Sequence, residues 1–477
     1  MDLPLEIKNI LTKLKEENFE AFIVGGCVRD ILLKKNPKDW DVTTNAKPED
    51  IQKIFPDNIY ENTFGTVGVK TGSDIGSLAI VEITPYRKEL GYQDKRHPDQ
   101  IEFVPDLKED LSRRDFTVNS MAMDLDGKLV DHFNGQKDLK QKIIRTVGAP
   151  SERFNEDALR LLRAVRFATS LGFEIEPETK NEIKNNSEWL KAISKERVRD
   201  EFIKIAESEN AYEGILLLEE VGLLEHIVPE LKEGIGVTQN LHHIYTVWEH
   251  NTRAIKYCAE KKYSLEVRLG SLFHDIGKPR TKRGEGLHST FYGHDVVGAK
   301  MVSQIMERLK FPNDIADKII SLVRYHMFYY NVGEVTESSV RRLIANIGAE
   351  NTEDLIKVRE ADRISSGRPK AVPYKLRHLK YLIDKVSSDP ISVKMLKVNG
   401  QDIMSELKIE AGPKIGIILN TLLSETIEDP LLNTKEKLIK RASELADRTA
   451  EDLKKALDKI NGAREEEEKE RMKKYYV

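Results

Sequence analysis

"FIVGGCVRDILLKKNPKDWDVTT", residues 22–44, is the stretch on which the reading of the whole chain turns. It opens with apolar, β-branched residues closed by a Gly-Gly pair, which reads as strand, tight turn and helix start. Glycines at such a turn bare the N–H groups of the following helix, an arrangement suited to phosphate. Gly25 and Gly26 are therefore candidate phosphate contacts, and Arg29, one turn into the helix, adds a fork of donors. At the far end Asp39 and Asp41 flank Trp40. In an extended chain residues i and i+2 share a face, so both carboxylates project together while Trp40 turns inward. Two carboxylates that close repel unless a cation neutralises them, and Mg²⁺ takes oxygen ligands of this kind. D-x-D alone is common in turns, and Gly-Gly alone matches neither G-x-G-x-x-G nor a P-loop. The combination specifies more: a phosphate cradle facing a metal-binding pair, as two-metal phosphoryl transfer requires.

Working outward, 477 residues exceed one ordinary core, and about two to four domains are expected. Lys plus Arg total 76 against 80 Asp plus Glu, a net charge of −4. That balance leaves nucleic acid open, provided positive charge gathers in one groove. Charged residues make up 33%, which fits a helical, well-solvated surface. Cys27 and Cys258 lie far apart and outside any CxxC, so a disulfide framework or zinc ribbon is excluded. The chain reads as intracellular and cytoplasmic. Its opening "MDLPLEIKNILTKLKEENFE" alternates charge with apolar positions at helical spacing, unlike a signal peptide. No run of about eighteen apolar residues suggests a membrane span.

The expected fold class is α+β and multidomain. Strand-like runs ("AFIVGG", "VGVKTG", "LAIVEITPY", "IEFVP") mix with helices through residues 1–150, an α/β head. From Glu156 long helical periodicities dominate almost to the end. Gly, Asn and His gather in "KEGIGVTQNLHH", and "READRISSGRPKAVPY" makes another break. Domains are thus expected at 1–150, 151–235, 236–370 and 371–477. The final "GAREEEEKERMKKYYV" reads as a solvated or fraying helix end.

Taken together, "GGCVRDILLKKNPKDWDV" resembles the signature of the nucleotidyltransferase branch that holds bacterial CCA-adding enzymes (tRNA nucleotidyltransferases) and poly(A) polymerases. Four further stretches extend the resemblance in the family's order: "LSRRDFTVNSMA", "DHFNGQKDL", "NEDALRLLRAVRF" and "ISKERVRDEF". It covers roughly the first 200 residues. By resemblance Arg114 contacts the triphosphate, while Asp115 and Asn119 hold the ribose or order the site. The residues alone allow Asp115 to be an ordinary helix N-cap as well. Glu82, in the apolar strand "LAIVEITPYR", either completes the metal site or points to water. "YRKELGYQDKRHPDQIEFVPDL", residues 86–107, resembles the family's flexible loop, fuller in CCA-adding and A-adding members than in CC-adding ones.

"EDALRLLRAVRF" is predicted to be one helix carrying Asp157, Arg160, Arg163 and Arg166 at steps of three, hence on one face. Cytosine and adenine both offer an amino donor beside a ring-nitrogen acceptor, and a carboxylate next to a guanidinium complements both. Uracil and guanine reverse that order, and mismatched buried polar groups reject a substrate by orders of magnitude. The resemblance implies this templating role for Asp157 and Arg160, with Arg163 and Arg166 on nucleotide or phosphate. The alternative is an i,i+3 surface salt bridge on a solvated face; the first motif favours base reading.

A second chemistry follows. "TVWEHN", "SLFHDIGKP" and "READRIS" supply His250, His274, Asp275 and Asp362, the pattern of an HD-type metal phosphohydrolase. His294 and His326 extend it to a dinuclear site for a divalent metal whose identity the residues leave open. The resemblance places such a domain here in several CCA-adding enzymes, linked to phosphatase or phosphodiesterase action on RNA ends, or retained as scaffold.

The expected activity is therefore untemplated addition of CCA to tRNA from CTP and ATP, with Mg²⁺ on Asp39 and Asp41. Segments after residue 200 would grip the acceptor arm through phosphates and shape. An A-adding specialist, a poly(A) polymerase and an HD-type RNA-end phosphohydrolase are the alternatives.

Overall fold

The computed structural model describes residues 3–61, 65–90, 100–240, 244–328, 330–368 and 370–473. The chain forms two compact units, Met1–Lys232 with Arg308–Lys310, and Glu233–Glu307 with Phe311–Val477. It is α+β: a sheet-bearing head followed by helices.

The strands of the head are β1 (Ala21–Val24), β2 (Asp41–Thr44), β3 (Asn58–Glu61), β4 (Thr66–Lys70), β5 (Ile80–Pro85), β6 (Arg87–Leu90), β7 (Gln100–Phe103), β8 (Ala122–Met123) and β9 (Leu129–Val130). Seven of them make one sheet in the order β3-β4-β5-β2-β1-β8-β9. β2 and β5 run parallel, with Asp41 beside Glu82 and Val42 beside Ile83; their neighbours pair antiparallel. Ile23, Val42, Val81 and Ile83 are fully buried, so the register is held by an apolar face that a one-residue slip would expose. The Leu5–Glu16 helix packs beside β1 and buries Ile7, Ile10, Leu11 and Leu14 at helical spacing. β6 and β7 form a separate antiparallel pair. They are the two ends of the segment read as a flexible loop, whose residues 91–99 lie outside the described residues.

The single helix expected across Asp157 is instead two, Pro150–Glu156 and Leu159–Leu171. The reason is local. Asp157 takes an extended conformation (φ −139°, ψ 106°) and its Oδ1 accepts the Leu159 N–H at 3.0 Å, an Asx-type turn that competes with the helical hydrogen bond. Leu159–Leu171 then buries Leu161, Leu162, Ala164 and Val165 completely, and ends on Gly172 in the left-handed region (φ 68°).

In the second unit, Val247–Glu260 starts with a capping box. Thr246 Oγ1 accepts the Glu249 N–H and Glu249 Oε2 accepts that of Thr246. This helix and Leu265–Phe273, Asn313–Tyr325 and Thr352–Ser365 share a core that continues through Leu376, Leu379, Leu382 and Val386 to Ile391. A separate core runs from Leu396 to Leu453. Among the described residues no helix is long and apolar enough to cross a membrane.

Candidate active site and metal centre

In the head, the turn after β1 places Gly25 at φ +81°, ahead of the Gly26–Leu32 helix. A Cβ there would stand 3.1 Å from Arg114 Nη1 and 3.7 Å from Asp41 Oδ2. Glycine is thus required twice, by conformation and by space. Asp41 opens β2, Trp40 is buried, and Asp39 is exposed just before the strand. Glu82, also exposed, lies next to Asp41 in register. Asp41 is thus in register with Glu82 across the parallel pair and close enough to Asp39 to feel its charge. Burial raises the Asp41 pKa; Arg114 opposes this and Asp39 adds to it. Carboxylate oxygens are the donor type a hard divalent cation takes.

A cleft of ≈ 470 Å³ opens beside Asp41. Gly25, Gly26, Arg29, Arg114, Asp115, Asn119, Asp157, Arg160 and Arg163 line it, together with Arg113, Phe167 and Arg197, which the sequence had not singled out. Asp39, Glu82 and Arg166 are not on this lining.

The arginines are held by acids beneath them. Asp110 is fully buried and accepts Arg113 Nε (3.0 Å) and Nη2 (2.7 Å), and Arg114 Nη2 at 3.4 Å. Asp115 Oδ1 accepts the Phe116 N–H (2.8 Å) and Asn119 Nδ2 (3.2 Å), and its Oδ2 takes Arg163. Asn119 Oδ1 in turn accepts Arg29 Nη1 at 2.7 Å. Both oxygens of Asp115 are thus already engaged within the protein. Burial disfavours its charge, but Arg163 and then Arg160 outweigh that and hold its pKa at about 2. Phe167 sits among three guanidiniums, 3.4 Å from Arg166, 5.2 Å from Arg163 and 5.4 Å from Arg29.

Asp157 and Arg160 share the cleft without an ion pair between their side chains. Asp157 Oδ2 accepts Arg197 Nη2 at 2.9 Å. Arg160 donates to Glu156 Oε2 (2.5 Å) and to the carbonyls of Arg153 and Arg113. Arg166 turns to the nearly buried Glu201, with Nε 2.9 Å from Oε2. The signal for Arg197 and Glu201 was the "KERVRDEF" helix, where they lie four residues apart on one face.

The second unit gathers the other set. His250, His274, Asp275, His294, His326 and Asp362 are all buried. Asp275 Oδ2 faces His250 Nε2 (3.1 Å) and His274 Nε2 (3.3 Å), while Oδ1 faces His294 Nε2 (3.3 Å) and His326 Nε2 (3.6 Å). Asp362 Oδ1 is 3.2 Å from His250 Nε2. Two ligand groups, His250–His274–Asp275 and Asp275–His294–His326, therefore share one carboxylate. Nδ1 of His274, His294 and His326 each lies 2.7 Å from a backbone carbonyl, of Ser271, Phe291 and Val323. His250 Nδ1 is 3.0 Å from Ser365 Oγ. Partners on Nδ1 orient all four Nε2 atoms inward, the second layer characteristic of metal-binding imidazoles, so the residues fit a divalent pair. The approach is tight: a Cβ on Gly277 would stand 2.2 Å from the His294 carbonyl oxygen.

Comparison with known proteins agrees with this division. The family model of the poly(A) polymerase head domain matches residues 21–145, the probable RNA- and SrmB-binding site of polymerase A matches 172–235, and the HD domain matches 247–367. These define the class: a nucleotidyltransferase head of the poly(A) polymerase type on a chain that carries an HD domain. The CCA-adding enzyme of Ligilactobacillus salivarius (strain UCC118) is 33% identical over 93% of this chain and 98% of that protein. This chain belongs to the CCA-adding enzyme family. The CCA-adding enzyme of Lactobacillus helveticus (strain DPC 4571) is 49% identical over 43% of this chain, an alignment spanning 50% of that protein. The crystal structure of the Bacillus stearothermophilus CCA-adding enzyme in complex with CTP superposes with a TM-score of 0.69 at 26% identity, covering 98% of this chain and 100% of that one.

Proposed function

We propose that this chain adds C, C and then A to the 3′ end of tRNA, taking CTP and ATP and releasing pyrophosphate without a nucleic-acid template. The observation that carries the reading is the meeting, in one cleft, of Asp41, a glycine turn and an arginine set beside Asp157 and Arg160. Asp39, Asp41 and Glu82 would hold Mg²⁺, which when bound supplies Lewis acidity at the reacting phosphate and lowers the pKa of the attacking hydroxyl. Gly25 and Gly26 let the triphosphate approach the backbone, and Arg29 and Arg114 neutralise it. Arg114 Nε is buried with no hydrogen-bond partner, a donor suited to a phosphate oxygen. Asp115 and Asn119 keep Arg163 and Arg29 in place. Asp157 accepts the amino group of cytosine or adenine, and Arg160 donates to the adjacent ring nitrogen.

The test uses the full chain with tRNA ending at the discriminator base or at CC, offered labelled CTP and ATP separately. Addition of CC and then A is expected. Addition of A to CC-ended tRNA alone would mark an A-adding enzyme, and long A tails a poly(A) polymerase; no addition overturns the reading.

The histidine cluster favours a second activity, a divalent-metal phosphohydrolase acting on RNA ends. Release of phosphate from RNA with a terminal phosphate, or opening of a terminal cyclic phosphate to a monoester, abolished by Asp275→Asn, is the expected result. Equal hydrolysis by both proteins overturns it.

A further inference from the structure

The Tyr374–Val386 helix buries Leu376, Leu379, Leu382 and Val386 on one side. On the opposite side Tyr374, His378 and Tyr381 fall at i, i+4 and i+7, so their rings form a row. Tyr374 is 64% and Tyr381 58% exposed, high for large aromatic side chains with an apolar core available. The rings are also nearly parallel. Tyr374 and His378 lie 6.5 Å apart between centroids at 19°, and His378 and Tyr381 6.3 Å apart at 26°. Near-parallel rings at these centroid distances lie within the range of offset-stacked pairs, so the three make one continuous aromatic face.

The helix around the row is predominantly basic. Arg368, Lys370, Lys375, Arg377, Lys380 and Lys385 stand against a single acid, Asp384, between residues 368 and 386. Lys380 is paired with Glu360, and Lys385 with Glu337. Lys375 instead donates to the neutral amide oxygen of Asn331 and Arg377 to the Val372 carbonyl, bonds that leave both charges uncompensated. Exposed parallel aromatics flanked by such cations are the apparatus for unpaired nucleotides: the rings take base faces and the cations take phosphates. A protein partner would use the rings but would need acidic residues against Lys375 and Arg377, and an apolar anchor would be better served by non-parallel rings.

We propose that Tyr374, His378 and Tyr381 form a stacking platform for unpaired bases of the RNA substrate, with Arg377 and Lys375 on its backbone. The inference rests on the tRNA reading above and adds a contact surface remote in sequence from the head.

The experiment measures binding of the full chain to tRNA lacking CCA, and to a blunt RNA duplex with no unpaired bases, by fluorescence anisotropy. Tyr374→Ala/Tyr381→Ala should weaken tRNA binding about tenfold or more and leave duplex binding unchanged. Tyr374→Phe/Tyr381→Phe, which keeps the rings, should bind as wild type, and coincident thermal melts exclude misfolding. In steady state the loss should appear in KM for tRNA with kcat unchanged. Arg377→Gln should lower the salt slope of tRNA binding by about one. Undiminished tRNA affinity of the alanine variant overturns the platform; a simultaneous fall in its sedimentation coefficient would assign the face to self-association. A wild-type chain that binds tRNA and adds CCA while the variant is unaltered sinks this inference alone. A wild-type chain that binds no tRNA sinks the tRNA reading and this inference with it.

Discussion

Asp115 Oδ2 accepts both Nε (2.9 Å) and Nη2 (2.7 Å) of Arg163, joining the turn before the short helix at Thr117 to the Leu159–Leu171 helix. The pair fixes a guanidinium on the cleft wall through a fork that a lysine could not reproduce. Burial raises the Asp115 pKa, yet Arg163 and Arg160 hold it at about 2 rather than 3.8. A depressed carboxylate stabilises the fold fully above its unfolded pKa and loses that contribution as pH falls through its folded one. Asp115 therefore contributes on the order of 2 kcal/mol at neutral pH, which disappears between about pH 4 and 2. Denaturant titrations should show wild type and Asp115→Asn well separated at pH 6 and converging over that window; a constant gap would contradict the assignment.

Arg197 is expected to matter for choosing the nucleotide through Asp157, whose Oδ2 it holds at 2.9 Å. Arg197→Ala should lower kcat/KM for both CTP and ATP by about 10- to 100-fold, the worth of a charge-assisted hydrogen bond, and raise UTP misincorporation. Arg197→Lys should recover part of the rate. Single-turnover addition with each nucleotide reads all three, and unchanged selectivity would separate Arg197 from base choice.

Asp275 serves both groups of histidines, one oxygen each. Dialysis against Mn²⁺ followed by metal analysis should find about two ions per chain in the second unit and about one in His294→Ala. Asp275→Asn should retain neither, and nucleotide addition should persist in both variants. Full retention of metal by Asp275→Asn would exclude a shared carboxylate.

Gly25→Ala forces a side chain into φ +81° and to within 3.1 Å of Arg114 Nη1. The backbone cost is about 1–3 kcal/mol, and displacement of Arg114 and Asp41 should reduce kcat about 100-fold. Circular dichroism should stay native while addition collapses. Normal addition would show that the turn has slack the geometry denies.

The site was legible where chemistry sits in short, regular spacing. Asp41 beside a buried Trp40 and the pair Arg160 and Arg163 line the cleft, whereas Asp39 and Arg166, read from the same spacings, do not. The His-Asp pair at 274–275 could be joined to distant histidines because few side chains other than ligands demand that combination. What stayed hidden depends on partners far along the chain. Asp157 looks like a helix residue until its carboxylate is seen turning back on Leu159 N–H, and its pairing with Arg197 spans forty positions. Asp110 carried a local signal, lying three and four residues before Arg113 and Arg114, but nothing in "LKED" says which acid is buried. The helix at 374–386 shows its apolar stripe in sequence; that the stripe joins the core of the histidine-bearing helices is decided by packing alone.

The arginines of the head cleft are each tethered to an acid of the same protein: Arg29 to Asp30, Arg113 and Arg114 to Asp110, Arg160 to Glu156, Arg163 to Asp115 and Arg197 to Asp157. Such a pocket differs from an open cationic trough. Its positive charge is balanced from within the protein, and each guanidinium keeps a fixed position because a neighbouring carboxylate holds it.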